Sequence, residues 1–408
     1  MSVGLGDQPW LAAPSTAAVF DALEAAGGAD CARFVGGCVR NALIGQPVND
    51  IDIATRLTPE QVIGALKAAK LRAVPTGVDH GTVTAIAGGR PYEITTLRRD
   101  LATDGRRAVV AFTDDWDEDA RRRDFTLNAL YAHRDGSVVD PTGMGVADAN
   151  AGRIVFVGPP AERIGEDHLR ILRFFRFLAW YGRGEPDAAG LQACAAMKDQ
   201  IGVLSAERVR GELLKLLAAP DPRAAVALMA QSGVLAVVLG RPGDLARLAR
   251  LAADADSDSV LRLAALLPDD PAVALATAQH LRLSNAERDR LVAALTPAPG
   301  IAPGMDDKSA RAALYRLGAA AFRDRVRLAD AGAPLLQLAA RWTPPVFPLT
   351  GADVMQAGAP QGPAVGRILR RVEDWWIAQD FTADRAALLA TLGSQILARD
   401  VEEGRSPL

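Results

Sequence analysis

Cysteine, histidine and long apolar runs are all scarce in this chain. Three cysteines, Cys31, Cys38 and Cys194, in 408 residues are too few and too scattered for a disulfide framework or a zinc knuckle. That points to a reducing compartment, the cytoplasm. The four histidines, His80, His133, His168 and His280, show no metal-ligand spacing. No apolar run approaches the roughly 20 residues that a membrane span needs. The stretch from Met1 to Pro14 has no basic segment followed by an apolar one, so neither a membrane partner nor a signal peptide is expected. A basic excess is missing too: the formal net charge is −3. Any surface for a polyanion must therefore be local.

What is present argues for a large, packed, cytosol-type protein. Hydrophobic residues make up 49% of the chain, ample for a core, and the length calls for two to four domains. Arginine is concentrated in two stretches. Arg98, Arg99, Arg106, Arg107 and the triplet Arg121-Arg122-Arg123 form the first; Arg163, Arg170, Arg173 and Arg176 form the second. Such clusters are ordinarily solvated helix faces, so by themselves they identify no partner.

Strand and helix signals alternate over the first part. Ser15 to Ala26 reads as a helix capped by Ser15 or Thr16. Ala32 to Val35 is a short apolar strand that turns at Gly36-Gly37, with a helix following over Cys38 to Ile44. Asp50 to Ala54 alternates polar and apolar residues, a strand with one wet face. Thr58-Pro59-Glu60-Gln61 is a capping box with proline at the first helical position. Thr82 to Ala87 and Tyr92 to Thr96 read as a hairpin around Gly88-Gly89. Val138-Val139 and Ile154 to Phe156 read as short strands. From about Ala161 the chain turns Ala/Leu-rich with helical periodicity, broken at Gly182–Pro186, Pro220–Pro222, Pro297–Pro303 and Trp342–Pro348. The expectation is an α+β head, a mixed sheet with helices, followed by a purely helical remainder.

Three constellations carry chemistry. The first is Phe34-Val35-Gly36-Gly37-Cys38-Val39-Arg40, followed by Asn49-Asp50-Ile51-Asp52-Ile53-Ala54-Thr55. On a strand Asp50 and Asp52 face the same way. Close carboxylates repel unless a cation lies between them, and Mg²⁺ prefers a few carboxylates plus phosphate oxygens and water. Gly36-Gly37 lets backbone approach a phosphate, with the N–H groups of the next helix behind it. Arg40, a turn further on, adds a fork of donors. Either half alone would be a tight turn or a solvated strand face; the two in this order and spacing say more.

This pairing resembles the signature of the DNA polymerase β-like nucleotidyltransferases. Its wording is similar to that of the class II tRNA nucleotidyltransferase and bacterial poly(A) polymerase family, Gly-Gly-x-Val-Arg-Asp followed by Asp-x-Asp-Ile-Ala-Thr. Asn41 stands where that family usually has Asp, which keeps a hydrogen bond but removes a charge. The resemblance implies that Asp50 and Asp52 are catalytic and hold Mg²⁺, and that Gly36, Gly37 and Arg40 bind nucleotide.

The second block is Arg122-Arg123-Asp124-Phe125-Thr126-Leu127-Asn128-Ala129. Read by itself it places Asn128 four residues past Asp124 on one helix face, able to meet a ribose hydroxyl and phosphate oxygens, or merely to carry a surface ion pair. It resembles the family's second motif, which implies that Arg123, Asp124 and Asn128 contact the sugar and triphosphate. The third block is Arg163-Ile164-Gly165-Glu166-Asp167-His168-Leu169-Arg170-Ile171-Leu172-Arg173. Asp167 and Arg170, three apart, would be neighbours on a helix. A carboxylate accepts from the amino group of C or A while a guanidinium donates to the adjacent ring nitrogen; G and U would leave both unpaired. An ordinary i,i+3 salt bridge is the plainer alternative. The block resembles the family's nucleotide-selecting motif, which implies Asp167 and Arg170 as base readers and Arg173 as a further nucleotide contact.

Weaker pieces complete the likeness. His80-Gly81-Thr82-Val83 leads into the hairpin and Tyr92-Glu93-Ile94-Thr95-Thr96 ends it, where Glu93 is either a third carboxylate near the metals or an edge-strand charge. Ser205-Ala206-Glu207-Arg208 opens a segment in which Glu207 and Arg208 would brace the neck. Leu349 to Asp353 and Gly362 to Gly366 resemble segments of the family's RNA-binding tail.

The resemblance runs from about Phe34 to Leu217, with patches afterwards. It implies a nucleotidyltransferase head (1–150), a helical neck with the selecting motif (151–219), a helical body (220–298) and a helical tail that binds tRNA (299–408). It also implies addition of CCA to the 3′ end of tRNA from ATP and CTP by two-metal transfer. A poly(A) polymerase, an enzyme adding only A or only CC, and a catalytically silent RNA-binding protein remain as alternatives. Asp100 to Asp115, charged and with little apolar periodicity, is expected to be a mobile loop; the family resemblance gives it a part in the switch from C to A addition.

Overall fold

A computed structural model describes residues 3–104, 107–297 and 300–402. The chain divides into two compact units, Met1–Leu245 with His280–Leu283, and Ala246–Gln279 with Ser284–Leu408.

The first unit is built on a seven-stranded mixed sheet. Helix α1 (Pro14–Gly27) precedes β1 (Ala32–Val35), α2 (Gly37–Leu43), β2 (Ile51–Thr55) and α3 (Pro59–Ala68). Then come β3 (Arg72–Gly77), β4 (Thr82–Ala87) and β5 (Arg90–Thr96). A separate two-stranded ribbon, β6 (Arg98–Asp104) and β7 (Arg107–Phe112), leads into α4 (Trp116–Arg121), and β8 (Tyr131–Ala132) and β9 (Val138–Val139) close the sheet. The strand order is β3-β4-β5-β2-β1-β8-β9. Among the described residues β2 and β5 pair in parallel and the other pairs of the sheet are antiparallel. Along β5, Tyr92, Ile94 and Thr96 are buried while Glu93 on the alternate face is exposed, the period-2 pattern of a sheet with one wet face.

Several local signals form as their chemistry dictates. Thr58 and Gln61 make the reciprocal capping box at the start of α3, and Gly88-Gly89 turns the β4–β5 hairpin, both with positive φ. Others are displaced by tertiary contacts. Helix α1 starts at Pro14 with Ala13 as its uncapped N-cap, because Ser15 and Thr16 spend their hydroxyls elsewhere. Ser15 bonds the Tyr92 hydroxyl at 2.7 Å, and Thr16 donates to the Trp10 carbonyl at 2.7 Å. Ile154 to Phe156 is not a strand; Phe156 makes one isolated bridge to Phe125. Most of the stretch Asp100 to Asp115 pairs as β6 and β7, where the sequence had suggested a loop. The run Ala108-Val109-Val110-Ala111 is apolar and partly β-branched, which favours a strand. Gly105 and Arg106 lie outside the described residues.

Past the sheet the described elements of the first unit are helical. Helix α5 (Gly145–Ala151), α6 (Pro160–Glu166), α7 (Leu169–Tyr181), α8 (Ala188–Ala196) and α9 (Ala206–Leu217) follow, with α7 packed on α9. An aromatic cluster ties α7 to the head: Phe125 lies 4.9 Å from Phe156 and 5.1 Å from Phe177, and Phe156 stacks on Phe174 at 5.6 Å. All four rings are buried. Tilted and stacked aromatic pairs of this kind add to the area they bury, so they fix how α7 meets the second motif.

The second unit is wholly helical among its described residues. Among its described residues one apolar cluster gathers Leu314, Phe322, Val326 and Leu335, and another gathers Leu349, Val354, Val372, Trp376 and Leu392. No helix among the described residues is long and apolar enough to cross a membrane.

Candidate active site

Strand β1 ends at Val35, and Gly36 turns the chain into α2 with φ of +67°. A side chain there would be strained, and its Cβ would come within 3.6 Å of an Arg123 guanidinium nitrogen and 3.7 Å of the Asn128 carbonyl. Gly36 is thus required by conformation, while Gly37 simply opens α2. The seven-residue helix carries Arg40 inward, to 6% exposure. Arg40 bonds Asn128 Oδ1 and donates to the Tyr181 hydroxyl at 2.8 Å. It also donates through two nitrogens to Asn41 Oδ1, at 3.1 and 2.8 Å. Asn41 keeps the acceptor that an aspartate would offer and adds a donor, Nδ2, which bonds the Pro47 carbonyl at 2.9 Å.

The carboxylates meet across β2 and β5. Asp50 is exposed and lies one residue before β2, while Asp52 within the strand is partly buried. Asp52 is in register with Glu93 on the parallel neighbour β5, so the two point from the same face. β5 lies between β4 and β2, which removes the edge-strand reading of Glu93. Burial, then the Glu93 and Asp50 charges, push the Asp52 carboxyl up to about 6, against the pull of Arg123 and Arg40. Three negative groups therefore bear on one point.

Among the described residues no three His, Cys, Asp or Glu side chains form a ready metal cage. A cation held here would need phosphate oxygens and water as further donors, the arrangement Mg²⁺ favours. The donor set fits that ion: hard oxygens, a surplus of negative charge and an open side. Gly37, Arg40, Asn41, Asp50, Asp52 and Tyr181 line a cavity of roughly 220 Å³. A larger cleft of about 610 Å³ lies by Thr126, Asp148 and Phe156, away from these carboxylates.

The second motif is not the helix its spacing suggests. Helix α4 stops at Arg121, Phe125 is extended and bridges Phe156, and Thr126–Asn128 is a single 3-10 turn. Seating the Phe125 ring in the aromatic cluster outweighs helix propensity here. Asp124 and Asn128 still meet: Asn128 Nδ2 and the Phe125 N–H donate to Asp124 Oδ1 at 3.0 and 2.9 Å. Arg173 of α7 forks onto Asp124 Oδ2, with Nε at 2.8 Å. Burial opposes ionisation of Asp124, but the Arg173 charge and these donors outweigh it and hold the carboxyl below its usual range. Arg173, Asp124, Asn128, Arg40 and Asn41 thus form one continuous hydrogen-bonded chain.

Arg123 is held from behind. Its Nε and a terminal nitrogen donate to Asp119 Oδ2 at 3.2 and 2.9 Å, and Nε also reaches the Tyr131 hydroxyl at 3.2 Å. Asp119, 1% exposed, additionally receives Arg122 and the Tyr131 hydroxyl. Burial would raise this carboxyl, but Arg123 and Arg122 drive it far below the ordinary range. Asp119 was not singled out in the sequence, although it stands four residues before Arg123, the spacing of an intrahelical ion pair.

The third motif departs most from expectation. Asp167 is not on a helix: it sits extended between α6 and α7. Its Oδ1 accepts the Leu169 N–H at 3.1 Å and its Oδ2 accepts from Arg208 of α9 at 2.7 Å. Arg170 points elsewhere. It pairs with Glu166 and donates to the Arg163 carbonyl at 2.6 Å and the Arg122 carbonyl at 3.0 Å. The predicted neighbour pair is therefore not formed, because the helix breaks at Asp167 and the i,i+4 partner Glu166 captures the arginine. Glu207 pairs with Arg282 at 2.6 Å. Tyr181 was also missed; no spacing links it to Arg40, 141 residues away in sequence.

Residues 32–155 match the family described as the Poly A polymerase head domain, and residues 186–243 match a probable RNA and SrmB-binding site of polymerase A. The chain is 32% identical over 384 residues to the human (Homo sapiens) CCA tRNA nucleotidyltransferase 1, mitochondrial, covering 88% of this chain and 85% of that protein. It is 34% identical over 389 residues to the CCA-adding enzyme of Limosilactobacillus fermentum, covering 90% and 94%. Among solved structures, the Bacillus stearothermophilus CCA-adding enzyme in complex with CTP matches with a TM-score of 0.78 at 27% identity, over 97% of this chain and 100% of that one.

Proposed function

Since the chain belongs to the CCA-adding tRNA nucleotidyltransferase family, we propose that it adds C, C and A in turn to the 3′ end of tRNA, using CTP and ATP. In each step the terminal 3′-hydroxyl oxygen forms a bond to the α-phosphorus, the bond to the β-phosphate breaks, and pyrophosphate leaves. The convergence of Asp50, Asp52 and Glu93 beside Arg40 and Arg123 is the observation that carries this reading.

Asp50 and Asp52, with Glu93 beside them, would hold Mg²⁺, which supplies charge neutralisation at the triphosphate and orientation of the two oxygens exchanged at phosphorus. The chain's own residues do the rest. Gly36 and Gly37 let the phosphates approach backbone. Arg40 and Arg123, locked by Asn41, Asn128 and Asp119, present fixed positive charge that needs no reorganisation as negative charge builds on the leaving group. Asp124 and Asn128 face the sugar. Asp167 reads the base edge, joined by Arg170 once a bound base draws it off Glu166 and the Arg163 and Arg122 carbonyls, with Arg173 aligning Asp124. In support, Asp167 is 30% exposed at its side chain and its partner Arg208 33%, so a base can compete for its carboxylate.

The helical remainder would carry tRNA. In functional terms the chain divides into head (1–150), neck (151–219), body (220–298) and tail (299–408). All three cysteines are free and buried, which suits a reducing compartment such as the cytoplasm.

The test is a tRNA lacking its terminal CCA, supplied with CTP alone, ATP alone, or both. CC from CTP alone and CCA from the mixture are expected. Runaway A tails would reassign the chain to poly(A) synthesis, addition of only A or only CC would narrow it, and no addition would leave an RNA-binding protein.

A further inference from the structure

Tyr181 closes α7 and lines the same cavity as Asp50, Asp52, Asn41 and Arg40. Its hydroxyl oxygen accepts from Arg40 at 2.8 Å, and the Arg40 guanidinium carbon lies 4.0 Å from the ring centroid. The ring is steadied by Phe177, 5.5 Å away. A phenol both donates and accepts. Here the accepting side is taken by Arg40, and among the described residues the hydroxyl proton has no acceptor. An O–H polarised by a guanidinium is a strong donor toward an anion.

The geometry points to Tyr181 as a ligand of the incoming nucleotide's phosphate chain, an assignment that rests on the nucleotide-transfer reading above. Helix length favours phosphate over base. The 13 residues of α7 span about 18 Å at the usual helical rise. Asp167 just precedes the first turn and Tyr181 ends the last, so α7 runs the length of a nucleoside triphosphate with the base end at Asp167. The Arg40 charge at the far end is matched by an anion.

Tyr181→Phe tests this, because it keeps the ring over Arg40 and removes only the donor. KM for CTP and for ATP should rise by the same factor, about ten- to a hundredfold for one charged hydrogen bond, with kcat and melting temperature nearly unchanged. Inorganic pyrophosphate, used as a competitive inhibitor, should weaken by that factor too. Unchanged KM values, a loss confined to one nucleotide, a rise in KM for tRNA alone, or undiminished pyrophosphate inhibition would each overturn the assignment. If the unaltered protein adds neither C nor A, the transfer reading fails instead, and direct CTP and pyrophosphate binding by calorimetry still decides the role of Tyr181.

Discussion

At the scale of single residues, the site is a place where like charges are held together at a cost. Asp52 is pushed up to about 6 by burial and by Glu93 and Asp50, so its ionised form is less comfortable folded than unfolded. Asp52→Asn relieves that repulsion. The variant should lose nucleotide addition altogether yet melt no lower than the parent, as scanning calorimetry would show. A marked drop in melting temperature would make Asp52 a structural residue. Asp50→Ala, at an exposed position, should likewise abolish addition with the fold and tRNA binding intact.

Asp119 works in the opposite sense. It is a 1% exposed carboxylate engaged by two arginines and a tyrosine hydroxyl. Removing its charge leaves the mostly enclosed Arg123 without a counterion, a loss of up to about 3–5 kcal/mol. Its folded pKa lies below its unfolded value. Its stabilisation is therefore complete well above roughly pH 4, the unfolded carboxylate pKa, and drains away as pH falls below that. Denaturant titration of Asp119→Asn should show a large deficit at pH 7 that narrows toward pH 3. A deficit constant across that range would mean the lost hydrogen bonds matter and the charge does not. If Asp167 reads the base as proposed, Asp167→Ala should slow CTP and ATP addition and narrow the discrimination against UTP and GTP, at about 1.5–3 kcal/mol per lost charged hydrogen bond. Intact selectivity with lower stability would instead make the Asp167–Arg208 pair a brace.

At the scale of elements, some boundaries are written locally and some are not. The Thr58 box and the Gly88-Gly89 turn need only neighbours in sequence, so they were legible. The second and third motifs have spacings that fit a helix. In both, a tertiary demand breaks the helix: the Phe125 ring enters an aromatic cluster, and the chain turns at Asp167 between α6 and α7. The ribbon of β6 and β7 was likewise missed, its strand signal masked by flanking charge. Deleting residues 103–108 from that ribbon should impair addition of A more than addition of C, measured as the ratio of CCA to CC product. Equal loss of both would deny the segment a part in the switch.

At the scale of the molecule, every residue assigned to the site, from Gly36 to Arg208, lies in the first compact unit. Ligand binding stabilises what it touches. Hydrogen exchange with CTP present should slow in β1, α2, β2 and α7 and stay unchanged in helix Pro363–Ala378 of the second unit. Slowing confined to that helix would place the nucleotide elsewhere. With a net charge of −3, the tRNA binding proposed above would rely on local arginine clusters rather than on an overall field.

The sequence by itself determined the chemistry: which groups are present, in what order, and with spacings that bring Gly36, Asp50 and Asp52 near one turn and one strand. Those are short-range facts, set by backbone geometry and side-chain type. The tertiary structure decided which groups meet across distance. It put Glu93 beside Asp52 through a parallel pairing of β2 and β5, Tyr181 on Arg40, and Arg208 rather than Arg170 on Asp167. Charge partners are chosen by burial and packing among residues tens to more than a hundred positions apart, and no local spacing encodes that choice.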